Sequence, residues 1–448
     1  MNDMTQGSAV KHMCSYALPL LLGNWFQMGY NAVDSMIAGR FIGEDALAAV
    51  GIAAPVMNLM ILSISGICIG AGVLMSEFFG AKNWNSLRIQ FSTTILFGAL
   101  FSLLISVLGI LFAPQILKAL SVPEEIMEIT GLYLRITFLG TPFTFFYNAL
   151  SASLKSVGDS KTPLKFLMFA SLLNLVLDII FIGFLGFGII CSATTTVIAE
   201  AASALMAAIY LTKKIPELCP ARNEWTINRE YLKKTLKFGG VTALQQSVQP
   251  IGKILIQGQV NALGVPVIAA FNAVSRIEAL VLTPEQSIAS SITTYVAQNR
   301  GAKKEERIRH GYAVGMGLEI AFWLCIVPLL ILFKKPMVSL FVTGEEATGI
   351  IAIGAEYLSY MTLFYFLPGM TNGVQGFFRG MGKLKITLLG TFIQTSVRVV
   401  TTCLLAPHMG IAGIAVACAI GWSLMLLVEI PLSLMEVRNL KRKGSYDS

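Results

Sequence analysis

Charge is scarce in this chain. Asp, Glu, Lys and Arg make up 13% of its 448 residues, against about 25% in an ordinary soluble protein. Cysteines are few and unpaired in pattern: the seven, at 14, 68, 191, 219, 325, 403 and 418, form no CxxC. That argues against a disulfide framework or a structural zinc site, and all but Cys219 read as small apolar packing residues. The three histidines, at 12, 310 and 408, lie too far apart for a triad or a metal cluster. No GxxxxGK[ST] occurs, and GDSKT from Gly158 lacks its spacing, so direct ATP drive is excluded. Long polar stretches are missing as well. The longest between apolar runs, 213–237, is too short for a soluble domain.

What remains is hydrocarbon. Apolar residues are 55% of the chain and the mean hydropathy is +0.71. They gather into twelve runs of membrane-spanning length, at 13–38, 46–72, 90–113, 130–152, 163–186, 191–212, 238–262, 266–294, 311–333, 352–376, 386–406 and 411–435. The first is too long and too polar for a removable signal peptide. With the amino terminus inside, the cytoplasmic segments carry 25 Lys and Arg and the outer ones only Arg40, Lys118, Lys334 and Lys335. The positive-inside rule then places both termini in the cytoplasm. It also accounts for the net charge of +8 without a nucleic-acid partner.

The chain repeats itself. DALAAVGIAAPV from Asp45 aligns with PVIAAFNAVSRI from Pro266, and Gly80-Ala-Lys82 with Gly301-Ala-Lys303, both at an offset of 221. LKSVGDSKTPL from Leu154 aligns with FRGMGKLKITL from Phe378 at 224. The fold class expected is an all-α membrane protein of twelve transmembrane helices in two parallel six-helix repeats, 11–220 and 232–440. Such repeats are common in secondary transporters, with sites near mid-membrane.

Asn24, Gln27, Asn31 and Asp34 follow at steps of three, four and three, one face of a helix in the first run. An ionisable group inside a bilayer is costly and marks a bundle interior or an aqueous path. Asp178 and Asn174 in the fifth run, and Thr196 in the sixth, fall at a similar depth to Asp34, about 9–12 Å below the outer surface. Neighbouring carboxylates in a low dielectric hold a proton between them, and the same oxygens suit Na⁺. The alternative is that the two acids only join helices. Glu200, one turn beyond Thr196, is a further candidate. Pro19 removes a backbone hydrogen bond and acts either as a switching bend or as a static kink.

The pattern resembles the multidrug and toxic compound extrusion (MATE) transporters over essentially the whole chain. The resemblance rests on Pro19, YNAVDSMIAGRFIGEDALAAVG, the GAK segment, GDSKTPL and their second-half counterparts. It implies a V of two lobes around a central cavity, and an N-lobe cation site of Asp34, Asn174, Asp178 and Thr196. It also implies that Pro19 bends the first helix with the protonation state of the carboxylate. Gln27, Tyr30 and Asn31 are then candidate cavity contacts.

The second half departs from that pattern. Gln245, Gln249, Lys253 and Gln257 are spaced by four, and Gln249 stands where some members carry a glutamate. Lys253, Arg276 and Arg398 fall at a common depth. They read either as structural ion pairs, with Glu278 or Glu356, or as an electropositive wall for anionic or zwitterionic substrates. The aromatics of 357–366 either stack on organic rings or pack. The function expected is an H⁺- or Na⁺-coupled antiporter exporting organic compounds across a bacterial cytoplasmic membrane. It would need no cofactor beyond the coupling ion and no obligate protein partner, and its surroundings would be membrane lipid. The alternative within the superfamily is a lipid-linked glycan flippase. No nucleophile cluster supports an enzyme, and a channel would need no coupling site.

Overall fold

The computed structural model describes residues 1–41, 44–342 and 347–444, without the side chains of 34, 35, 38–41, 44–47, 443 and 444. Among them are twelve α-helices: α1 (Ala9–Phe41), α2 (Glu44–Gly80), α3 (Trp84–Ala119), α4 (Glu124–Ser156), α5 (Lys161–Asp178), α6 (Ile189–Lys214), α7 (Arg229–Ala262), α8 (Val265–Gly301), α9 (Glu305–Ser339), α10 (Ala347–Phe364), α11 (Phe366–Gly380) and α12 (Leu384–Gly444). No strand occurs among the described residues.

The helices follow the twelve apolar runs, with one run broken in two and a kink between the last pair. The run 352–376 is broken at Tyr365 into α10 and α11. Pro368 explains the break: it has no N–H for the Phe364 carbonyl, and its ring would collide with that carbonyl in a continuous helix. The last two runs follow one another in α12 as two helices that meet at a kink at Gly410 (φ 58°, ψ −137°), three residues after Pro407. Eight helical spans among the described residues are long and apolar enough to cross a membrane. α1, α4, α7 and α11 fall outside that set; α1 and α7 carry rows of polar residues that lower their hydropathy, and α11 has only 15 residues.

The repeat is visible in the backbone. Lys82 and Lys303 both adopt φ 54°, a left-handed conformation that β-carbon-bearing residues seldom take. Gly158 and Gly382 share the left-handed region at 80° and 72°. The loop hydrogen bonds recur too: Gly158 N–H to Lys155 O matches Gly382 N–H to Arg379 O, and Asp159 N–H to Leu154 O matches Lys383 N–H to Phe378 O. The offset of 221 holds through α2 and α3, and 224 applies from α4 onward.

Two compact units divide the chain inside α1 and α7 rather than in the connecting loop. The first comprises Met1–Asp3 and Leu22–Ala243, the second Met4–Leu21 and Leu244–Ser448. Within the first, Ser92 Oγ accepts from Thr226 N–H (2.8 Å) and Thr93 Oγ1 from Asn228 N–H (3.0 Å), fixing the connector against α3. α2 and the start of α7 touch backbone to backbone there: a Cβ on Gly66 would fall 2.6 Å from Gly239 O. Within the second, Met4 N–H donates to Gln298 Oε1 (3.0 Å) and Arg307 Nη2 to Met4 O (3.0 Å), tying the amino-terminal segment to α8 and α9.

Candidate functional site

The first unit brings α5 and α6 together around Asp178. Asp178 is the last residue of α5 and is followed by a π-helical turn, Ile179–Phe184. Such turns widen the helix by one residue and often sit at functional positions. Asn174 lies one turn earlier, and both side chains are 1% exposed. Thr195 of α6, equally buried, donates its hydroxyl to Asp178 Oδ1 at 2.5 Å. With its amide nitrogen turned toward Asp178, Asn174 donates to Oδ2 (3.2 Å), and its oxygen accepts from Thr196 N–H (3.0 Å). The Tyr30 hydroxyl of α1 is hydrogen-bonded to the Asn174 amide. A buried carboxylate is thus held by a hydroxyl and an amide, with a phenol one bond further out. Charge-assisted bonds of this kind are about twice as strong as neutral ones.

Four of the sequence candidates therefore meet: Tyr30, Asn174, Asp178 and Thr196. Thr196 takes part through its backbone, since its hydroxyl donates to Ser192 O (2.9 Å). The hydroxyl on the carboxylate belongs to Thr195, which the reading of the sequence did not single out. A signal for it exists: Thr195, Ala199, Ser203, Ala207 and Leu211, all buried, recur every four residues on the packed face of α6. Glu200 lies elsewhere in the unit, accepting from Thr144 Oγ1 of α4 at 2.5 Å. Gln27 and Asn31 are exposed on α1. The side chain of Asp34 lies outside the described residues. α1 runs helical through buried Pro19, and the boundary between the units falls just beyond it, after Leu21.

In the second unit the three bases do not share one environment. Lys253 and Arg276 are exposed, as is Gln249, and the Arg276 guanidinium lies over the Phe341 ring at 5.9 Å. Arg398 is buried, 9% exposed, and faces Glu278, Tyr357 and Cys418. Glu278 is 5% exposed and points inward, whereas Arg276, two residues earlier, points out. An Arg276–Glu278 pair is thereby excluded by helix geometry, because positions two apart face opposite ways. Gln245 is also interior. It donates to Gln375 Oε1 (2.9 Å) and Thr391 Oγ1 (3.0 Å) and accepts from Thr387 Oγ1 (3.2 Å). A cavity of 370 Å³ between α7 and α12 is lined by apolar groups such as Val248, Leu255 and Phe392, and neither Gln249 nor Lys253 lines it.

Comparison with known proteins agrees with this architecture. The sequence profile of the MatE family matches twice, at 19–180 and 242–404. The two matches reproduce the internal repeat. A "Probable multidrug resistance protein YpnP" from Bacillus subtilis (strain 168) is 28% identical over 415 residues, 92% of each chain. A "FAD transporter" from Shewanella oneidensis is 24% identical over 357 residues, 78% of this chain and 77% of its own. Among solved structures, a MOP superfamily transporter from Pyrococcus furiosus superposes with a TM-score of 0.89 at 22% identity, covering 98% of both chains.

Proposed function

The chain belongs to the MatE family, a family of membrane transporters and not of enzymes, and from that premise we propose that it exports organic compounds in exchange for a cation. The observation that carries the coupling is Asp178, 1% exposed and held by Thr195 and Asn174. A carboxylate kept in this setting releases or accepts charge only as its surroundings change, which is what a coupling site needs. The residues assigned to it are Asp34, Asn174, Asp178 and Thr196, with Thr195 as a donor. Glu200, one turn beyond Thr196 on α6, is assigned to the same proton path although its own partner is Thr144 of α4, and Pro19 is assigned as the bend in α1. H⁺ or Na⁺ is the coupling ion, and no other cofactor is required.

The substrates we assign are small organic molecules with anionic or zwitterionic groups. Exposed Lys253 and Arg276 support this, as does the relative described as a FAD transporter. Gln27, Tyr30, Asn31 and Gln249 are assigned to the substrate path, and Arg398 to an internal pairing with Glu278. Both termini are placed in the cytoplasm on the distribution of basic residues. Transport in proteoliposomes with proton and sodium gradients imposed separately tests the reading, against paired anionic and cationic compounds. Uphill substrate movement under one gradient is expected, with Lys253→Gln weakening anions more than lipophilic cations. Downhill movement alone under both gradients would contradict the coupling, and an equal effect on both substrate classes would contradict the substrate assignment.

A further inference from the structure

The second unit holds a buried acidic pair apart from the residues above. Glu285 on α8 and Glu319 on α9 are each 1% exposed. Both Glu319 oxygens lack a hydrogen-bond partner among the described residues. Glu285 Oε2 accepts one long bond, from Asn372 Nδ2 of α11 at 3.4 Å. The carboxyl groups converge on a bare stretch of α11. A Cβ built on Gly369 would lie 3.6 Å from Glu285 Oε1 and 3.7 Å from Glu319 Oε2. Those two oxygens are therefore no further apart than the two distances together. One turn on, Gly373 packs against Met316, whose Sδ a Cβ there would approach to 2.6 Å, with Glu319 Cγ at 3.5 Å beside it.

The repeat shows that packing does not demand acids here. At the offsets already given, Glu285, Glu319 and Gly369 correspond to Ile64, Gly98 and Phe145. Ile64 and Phe145 are fully buried, and the Phe145 ring lies across Gly98, where a Cβ would come within 1.6 Å of Cζ. The contact Gly98–Phe145 of the first unit thus recurs as Glu319–Gly369 in the second. Bulk and glycine have changed sides, and a carboxyl has replaced hydrocarbon. An unpartnered buried carboxyl costs stability that an apolar residue at the same place would not. A cost of that kind points to a ligand.

We propose that Glu285 and Glu319 form a proton-binding site in the second unit, the two carboxyl groups holding one exchangeable proton between them. The proposal rests on the cation-coupled reading and adds a second place where a proton is carried. Asn372 turns its nitrogen to Glu285, so the site offers the oxygens of two carboxyl groups and no neutral oxygen from that side, fewer than the roughly six a dehydrated metal ion takes but enough to hold a proton. The other titratable groups facing the pair are Glu278, earlier on α8, and Tyr365, between α10 and α11. Among the described residues no basic side chain acts on Glu285 or Glu319, and the charge of Arg398 acts on Glu278. Two carboxylates in so low a dielectric titrate as a pair rather than singly.

Dicyclohexylcarbodiimide, which modifies protonated carboxyls in apolar surroundings, tests this on the full chain in liposomes. Modified peptides are read by mass spectrometry between about pH 5 and about pH 9, a range wide enough to follow one proton. Labelling of Glu285 or Glu319 is expected at the acid end and lost at the alkaline end. In Glu319→Gln the midpoint for Glu285 should move, which a merely structural acid would not do; Glu285→Gln gives the reciprocal test. The wild-type profile suffices should either variant fail to fold. No labelling, or labelling that does not change with pH, overturns the site. The readout needs no transport, so its failure is distinct from failure of gradient coupling in the proteoliposome experiment.

Discussion

Thr195 and Asp178 are joined across α6 and α5 by a 2.5 Å hydrogen bond, both side chains 1% exposed. The threonine hydroxyl lies where a charge on the aspartate would otherwise be unmet. Removing it as Thr195→Val keeps the shape and deletes the donor. A hydrogen bond to a charged group contributes roughly 1.5–3 kcal/mol. Gradient-driven transport should therefore fall on the order of tenfold or more, be recovered in Thr195→Ser, and change little in Thr196→Val, whose contribution is a backbone N–H. Equal losses in the Thr195 and Thr196 variants would remove Thr195 from the site.

Glu278 faces Arg398, and that assigns the rescue experiment to this pair. Arg398→Gln leaves a buried acid without its counter-charge and should cost about 3–5 kcal/mol. The double change Arg398→Gln/Glu278→Gln should recover much of it. Arg276→Gln, on the exposed side of α8, should stay within about 0.5 kcal/mol of the parent. Thermal unfolding in detergent reports all three.

Cys219 offers a test of orientation outside the membrane. It lies in the connector after α6, half-buried, and burial pushes its thiol above the ordinary value. A membrane-impermeant maleimide should label it in inverted vesicles and not in right-side-out ones. The rate should keep rising with pH beyond the point where a free thiol levels off, because the thiolate is the reacting form. Labelling from the outer side would reverse the topology.

The sequence made the helices, the repeat and the α5–α6 site legible because each is periodic or local. Apolar runs mark helices whatever packs on them, and the GAK and GDSK turns repeat because the same backbone turn does. Asp178 and Asn174 share a face by spacing alone. The choice between Thr195 and Thr196 turns on which face of α6 packs, which only the row of small residues hints at. The common depth expected of Lys253, Arg276 and Arg398 does not say which way a side chain points. Arg398 went inward and the other two outward. Glu285 and Glu319 lie inside apolar runs on different helices, and no sequence spacing brings them to Gly369. The break at Tyr365 follows from Pro368, which was in plain view within a run that hydropathy alone joins.

The coupling role of Asp178 is tested most directly by counter-flow in proteoliposomes carrying Asp178→Asn. The variant replaces a charge by an amide of the same shape, so folding and membrane insertion should persist and substrate should still bind. An imposed proton or sodium gradient should then no longer drive substrate uphill, while substrate exchange without a gradient survives. Uphill transport at the wild-type rate in Asp178→Asn would contradict that role.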